Sequence, residues 1–186
     1  MRWTAIVPLK GGSERKSRLS ARLSPEARAA LADHMFRRTL TRLHAVDAID
    51  TVLVLSPHAP GAGVGWIEDR GRGLNAELQA ARATIAGPLL VIHADLPLVG
   101  ASDIARLLER AAAKGVGIAP DRHGAGTNAL ALATDAPFRF AFGDNSFARH
   151  RHGAGGDAAV VRRWRLALDV DMPEDLDAAR ARGFRF

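Results

Sequence analysis

Two hydrophobic patterns alternate along this chain. Short, nearly continuous apolar runs cover residues 3–9, 51–56, 89–94, 115–120 and 127–133. Each reads as a strand, and the run ending at Ala94 has the look of one buried on both faces, as in the middle of a parallel sheet. Between them lie stretches with helical spacing. After the N-cap signal Ser24-Pro25-Glu26, residues Leu31, Met35, Phe36, Leu40 and Leu43 form one apolar stripe. Residues 74–86 predict a second helix stopped by Gly87-Pro88, and 101–113 a third with Ser102 or Asp103 near its start. Pro173-Glu174-Asp175-Leu176 opens the last. Residues 64–67 are a candidate short strand, 138–149 an irregular segment leading into a short helix, and 160–170 an extended segment. The Gly/His/Ala stretch 151–157 reads as flexible surface. Strands alternating with helices of this length predict right-handed βαβ units. The expectation is an α/β fold, one domain over 1–186, with a mainly parallel mixed sheet flanked by helices.

The run 89–94 ends on an acid, Asp95, and Pro97 prevents the ladder from continuing. Ligands of open α/β sheets gather outside the carboxyl ends of strands, so Asp95 stands where a metal or phosphate would be held. A turn or helix-capping aspartate is the plain alternative, and position does not separate the two. The first loop holds Gly11 and Gly12, two serines, and the cations Lys10, Arg15, Lys16 and Arg18. Such a loop can wrap a triphosphate with backbone N–H groups and neutralise it. It is neither a Walker A loop nor GxGxxG, and a solvated basic loop fits equally.

Three further segments carry candidate chemistry. At Gly73-Leu74-Asn75, the glycine lets the backbone approach a ligand and Asn75 could present its amide to a purine edge; an ordinary glycine turn is the commoner origin of this pattern. Between Pro120 and Leu130, Asp121-Arg122 and paired glycines precede Thr127-Asn128, and downstream Ser146 or Asn145 can cap a short helix. A helix N-terminus with a hydroxyl and nearby arginine is an anion site, though capping alone would also use the serine. In Leu168-Asp169-Val170-Asp171, two acids at i and i+2 share a face of a strand and repel unless a cation sits between them. Capping by Asp171 would explain one acid only. With Asp95 they make a hard-oxygen set suited to Mg²⁺, which takes one or two carboxylates plus substrate phosphates. There is no Ser-His-Asp order, HExxH or EF-hand loop, and His150 and His152 read as surface residues.

Composition narrows the class. With no cysteine among 186 residues, disulfides, thiolate nucleophiles and cysteine-based zinc sites are excluded. No apolar run approaches the ~20 residues needed to cross a bilayer. The first residues lack a signal-peptide layout, so a cytoplasmic location is the default expectation. The net charge of +6 comes from arginine, since Lys10, Lys16 and Lys114 are the only lysines. That excess suits a nucleotide as well as a nucleic acid. Tyrosine is absent, and neither a helix-turn-helix nor an RNA-recognition signature is present, so a basic nucleic-acid-binding module is disfavoured and no nucleic-acid or membrane partner is expected.

Taken in order, Ile6-Val7-Pro8-Leu9-Lys10, Lys16-Ser17-Arg18-Leu19-Ser20, Gly73-Leu74-Asn75, Ala94-Asp95-Leu96-Pro97-Leu98, Pro120-Asp121-Arg122, Gly126-Thr127-Asn128-Ala129-Leu130, Ser146-Phe147-Ala148-Arg149-His150 and 168–176 span nearly the whole chain. Together they resemble the 2-phospho-L-lactate or phosphoenolpyruvate guanylyltransferases of coenzyme F(420) biosynthesis. These belong to the wider nucleotidyltransferases of glycosyltransferase-A-like, Rossmann-like fold, as do the molybdenum-cofactor guanylyltransferases. The resemblance implies that GTP and a small phospho-acid give a guanosine-diphosphate-linked acid and pyrophosphate, with Mg²⁺ or alternatively Mn²⁺. It implies phospho-acid contacts at Thr127, Gly143 and Ser146 and metal ligation by Asp95 with Asp169 or Asp171; Gly11, Gly12, Gly73 and Asn75, from the loops read above, are the expected nucleotide contacts. Asp95, Lys10, Lys16 and Arg18 are the expected catalytic set. Asp144-Asn145 stands where the family commonly has Pro-Gly. The expected acceptor is phosphoenolpyruvate, 3-phospho-D-glycerate or 2-phospho-L-lactate, with the product passed to the next transferase of the pathway and a homodimer left open. An alternative acceptor, molybdopterin or a sugar phosphate, fits the Ser-Phe-Ala-Arg-His segment less well.

Overall fold

The computed structural model describes residues 1–9, 11, 16–61 and 63–186. Seven strands are described: β1 (Trp3–Pro8), β2 (Ile49–Ser56), β3 (Gly65–Glu68), β4 (Leu89–Ile92), β5 (Val116–Pro120), β6 (Thr127–Leu132) and β7 (Ala159–Val160). Six α-helices accompany them: α1 (Pro25–His44), α2 (Leu74–Thr84), α3 (Ala101–Lys114), α4 (Ser146–Gly153), α5 (Trp164–Ala167) and α6 (Pro173–Ala181). A single 3₁₀ turn, Ser17–Leu19, precedes α1. None of the helices is long and apolar enough to cross a membrane among the described residues.

The strands make one sheet in the order β3-β2-β1-β4-β6-β5-β7. Every neighbouring pair is parallel except β4–β6 and β5–β6, so the sheet is mixed and mainly parallel. The chain winds outward through β2 and β3 on one side of β1 and turns to the other side at β4. The carboxyl ends of β1 and β4 therefore flank a point where strand order reverses, the place where ligands bind in open α/β sheets. Because β6 runs against β4, its first residues, Thr127 and Asn128, lie at the carboxyl end of β4. His93 N–H donates to Asn128 O there at 3.0 Å.

Alternation along β4 feeds both faces of the sheet. Leu90 and Ile92 enter the core under α1 and α3, whereas Leu89 and Val91 enter the opposite core with Leu78 of α2 and Phe138, Phe140, Phe142 and Phe147. All four residues are buried, which accounts for an apolar run with no polar face. A third cluster joins Leu19 of the 3₁₀ turn, Leu31 and Met35 of α1, and Leu176 of α6, and it draws in Leu168 and Val170.

Three expected segments differ. Residues 160–170 are not continuously extended: one helical turn, α5, intervenes. That turn seats Leu166 in the α3 core while Leu168 and Val170 enter the third cluster, a split that an unbroken strand would not make. The stretch 151–157 is not irregular at its start, because Arg151–Gly153 complete α4 and the chain then closes through Ala154 N–H to His150 O at 3.0 Å. β2 begins at Ile49, before the predicted 51, because Trp3 of β1 is paired with it.

Candidate active site

The site is assembled where β1 and β4 end and β6 begins. Beyond β4, Asp95 is tied to the 168–171 segment by Val170 N–H donating to Asp95 O at 3.1 Å. This bond puts the acids of both segments side by side. Lys16 Nζ lies 2.7 Å from Asp95 Oδ2 and 3.9 Å from Asp171 Oδ1, and Arg18 Nη1 lies 2.5 Å from Asp171 Oδ2. Lys16 holds a left-handed backbone, φ 57°, which is costly for a residue with a Cβ and is of the kind found at functional sites. Among the described residues, buried Asp95 Oδ1 accepts no hydrogen bond. Burial pushes the Asp95 carboxyl up, but the Lys16 and His93 charges outweigh it and leave it below the usual carboxylate range. Asp169 goes the other way. Burial, reinforced by the negative charge of Asp95, pushes it up to about 6.

Asp171 does not cap α6. Asp175 does that work, accepting from Asp171 N–H at 3.0 Å and Met172 N–H at 2.7 Å. The helix-cap explanation of the second acid therefore falls away. Asn128, next to the predicted Thr127, orients Asp169: its amide donates to Leu166 O at 3.0 Å, Ala167 O at 3.2 Å and Asp169 Oδ1 at 3.2 Å. Among the described residues no group of three His, Cys, Asp or Glu side chains has the arrangement of a metal site. The trio Asp95, Asp169 and Asp171 is thus a carboxylate cluster neutralised by Lys16 and Arg18, not a formed three-acid cage.

The second half of the site lies across His93 and Phe142, whose rings are 5.3 Å apart. Thr127 and Ser146 are buried polar residues here. Ser146 is the first residue of α4 and not its cap: Asn145 holds that position at φ 53°, with no side-chain capping bond. Asparagine tolerates this left-handed conformation better than most residues, so Asn145 can serve where a glycine is common. Gly143, at φ 108°, adopts a backbone that side chains resist, and Arg149 Nη2 would sit 3.6 Å from a Cβ added to it. Asn75 reaches this corner from the start of α2. Its Nδ2 donates to Phe142 O at 3.0 Å and its Oδ1 accepts from Phe142 N–H at 2.7 Å. The amide expected to meet a purine edge is thus engaged at both ends on the backbone beside Gly143.

His150 corrects the sequence reading most directly. It is fully buried, with Nδ1 3.0 Å from Thr127 Oγ1 and Nε2 accepting from Ala141 N–H at 3.0 Å. Burial, and then the Arg149 and His93 charges, push its imidazole down to about 4. Before α2, Gly73 stands at φ 91°, and the turn leading to it is pinned by buried Glu77. Glu77 accepts from Arg70 N–H at 3.0 Å and Arg72 N–H at 3.1 Å, and pairs with Arg72 Nη2 at 2.6 Å. The Arg72 bond holds the Glu77 carboxyl down at about 2. Gly11 is needed for close approach, since a Cβ there would meet Pro57 Cγ at 2.9 Å. Lys10 and Gly12 lie outside the described residues. Glu77, Asn128 and His150 were absent from the expected set; the only signal for them was their place within or beside the motifs 73–75, 126–130 and 146–150.

Comparison with known proteins places the chain in a family. The family model described as "Guanylyl transferase CofC like" matches residues 3–182. A phosphoenolpyruvate guanylyltransferase from Sphaerobacter thermophilus is 38% identical over 186 residues, covering 93% of this chain and 90% of the relative. A 2-phospho-L-lactate guanylyltransferase from Methanothermobacter thermautotrophicus is 35% identical over 189 residues, covering 95% and 83%. Among solved structures, a putative nucleotide-diphospho-sugar transferase from Desulfovibrio desulfuricans G20 superposes with TM-score 0.76 at 16% identity, covering 96% of this chain and 86% of that one, which shows the shared fold. Matched along 3–182 and built on that fold, the chain belongs to the CofC-like guanylyltransferases.

Proposed function

We propose that residues 1–186 act as one nucleotidyltransferase domain joining GMP from GTP to a small phospho-acid, with release of pyrophosphate. The relatives' names point to phosphoenolpyruvate or 2-phospho-L-lactate as acceptor; 3-phospho-D-glycerate is a third candidate, and coenzyme F(420) biosynthesis, which the sequence resemblance implies, is the setting. The observation that carries the reading is the pairing, at one sheet end, of a lysine–carboxylate cluster with a polar corner built from Thr127, Gly143 and Ser146.

The chemistry asks mainly for positioning and charge neutralisation. A phosphate oxygen of the acceptor forms the new bond to the α-phosphorus of GTP, and the bond from that phosphorus to the bridging oxygen breaks, releasing pyrophosphate. The attacking phosphate is already ionised at neutral pH, so no general base is required. Lys16 and Arg18, with Lys10, offset charge on the triphosphate. Gly73 and Gly11 let backbone approach the nucleotide. Thr127, Gly143 and Ser146 hold the acid at the start of α4, where backbone N–H groups favour an anion.

Asp95 Oδ1, without a partner among the described residues, and the raised pKa of Asp169 beside it fit a divalent cation held by two hard carboxylates. Asp95 with Asp169 or Asp171 would hold Mg²⁺ or Mn²⁺, which neutralises charge on the phosphates when bound. The activated product would pass to the transferase acting next, in the cytoplasm. Incubating the protein with GTP, Mg²⁺ and each of the three phospho-acids, molybdopterin or a sugar phosphate, and measuring pyrophosphate, tests the reading. Release with a phospho-acid only is expected; release with molybdopterin or a sugar phosphate instead would overturn it.

A further inference from the structure

The acceptor corner is backed by a buried imidazole whose two nitrogens have different partners. Ala141 N–H is only a donor, so the His150 Nε2 that faces it at 3.0 Å must be unprotonated. A neutral imidazole then carries its proton on Nδ1, the nitrogen 3.0 Å from Thr127 Oγ1. That proton fills an acceptor position on the Thr127 oxygen. The hydroxyl's own hydrogen is turned away from the imidazole, and among the described residues it has no other hydrogen-bond acceptor. A threonine hydroxyl arranged in this way is preset as a donor, the role an anionic ligand oxygen requires.

We infer that His150 is a positioning residue: locked as the Nδ1–H tautomer, it fixes the Thr127 hydroxyl as a donor to the acceptor and clamps the 141–143 backbone. The inference rests on the reading that Thr127 contacts the phospho-acid. The surroundings support it. Phe138 and Phe142 flank the imidazole at 5.9 and 4.7 Å between ring centroids. Burial keeps the ring neutral, its pKa pushed down to about 4, so the arrangement persists across the working pH range. Ala141 N–H on His150 and Phe142 N–H on Asn75 are consecutive bonds, so two side chains from different helices set the backbone just before Gly143. His150 acts through Thr127 and this backbone, not by proton transfer.

Two substitutions separate the halves of the imidazole. His150→Asn places an amide nitrogen near the Nδ1 position, and His150→Gln places an amide oxygen near the Nε2 position. His150→Gln should raise the acceptor KM about tenfold, the order expected for one misdirected hydrogen bond to a charged ligand, and leave the GTP KM unchanged. His150→Asn should raise the acceptor KM less. Thr127→Val should raise it as well, and Thr127→Ser should restore it. In a double-mutant cycle, His150→Gln should add nothing once Thr127 is valine. Nitrogen-15 spectra of the wild-type protein provide a readout that needs no variant: His150 should show a protonated Nδ1 and a bare Nε2, unchanged between pH 6 and 8. The opposite tautomer, a titrating ring, or full additivity in the cycle would overturn the inference while transfer to the phospho-acid persists. Transfer to no phospho-acid, or an unchanged acceptor KM in Thr127→Val, would instead overturn the reading beneath it, and the inference with it.

Discussion

Asp169 is held at a disadvantage as a charged carboxylate. Burial and the Asp95 charge raise its carboxyl to about 6, above its ordinary value of 3.8. A folded-state pKa above the unfolded one favours the protonated side chain. Its contribution to stability is complete below about pH 4 and is lost as pH rises through 6. Asp169→Asn should therefore raise the Tm at pH 7–8 without divalent cation, leave it near the wild-type value at pH 4, and reduce turnover. Thermal melts across pH measure this; equal Tm differences at both pH values would contradict it. Asp95→Asn should lower turnover by about a hundredfold or more with the fold intact, which circular dichroism and steady-state rates would check together. Ser146 gives a sharper contrast because it does not cap α4. Ser146→Ala should change stability, read from the Tm, by no more than about 0.5 kcal/mol and raise the acceptor KM roughly ten- to a hundredfold. A large stability loss with an unchanged acceptor KM would assign the serine a structural role only. At this scale the sequence singled out Asp95, Thr127 and Ser146 by their motifs, and the structure brings all three to one end of the sheet. His150 was not: Arg149, Arg151 and His152 surround it in sequence, and on α4 only geometry shows which of these polar residues turns inward.

At the scale of elements, α2 and α4 do more than cover the sheet. The start of α2 reaches both halves of the candidate site: Glu77 pins the turn before Gly73, and Asn75 grips Phe142 beside Gly143. Asn75→Ala should accordingly raise the acceptor KM and leave discrimination between GTP and ATP intact. Kinetics with both nucleotides would show this, and a collapse of GTP preference would instead make Asn75 the base reader. Glu77, held down at about 2 by Arg72, contributes stability that is present above about pH 4.5 and is lost as pH falls toward 2. Most elements were legible because a buried run of four or more apolar residues, or a stripe at helical spacing, is imposed by burial itself. The exceptions are instructive. Leu166, Leu168 and Val170 alternate as a strand would, yet one helical turn sends them to two cores, a tertiary demand that local periodicity does not carry. Likewise Asp171 looked like the cap of α6, but Asp175 reaches back to the N-cap from the first turn, and both placements satisfy the same sequence rule.

The whole molecule is organised by one departure from the parallel pattern. Had β6 run parallel to β4, Thr127 and Asn128 would lie at the far end of the sheet from Asp95. Hydrophobic periodicity does not encode strand direction, so this reversal was invisible in the sequence, although it joins the acid cluster to the acceptor corner. Through it, Asn128 reaches Asp169, His150 reaches Thr127, and a reacting phosphate could lie between the carboxylate cluster and α4. The central claim is that these two corners serve one bond change at the α-phosphorus of GTP. Tracing the α-phosphate of labelled GTP in the presence of Mg²⁺ and phosphoenolpyruvate or 2-phospho-L-lactate tests it most directly. The expected result is that the label moves into a guanosine-diphosphate-linked acid as unlabelled pyrophosphate appears in equal amount, and that Asp95→Asn slows both by about a hundredfold or more. Label remaining in GTP, or released as GMP without a linked acid, would contradict it.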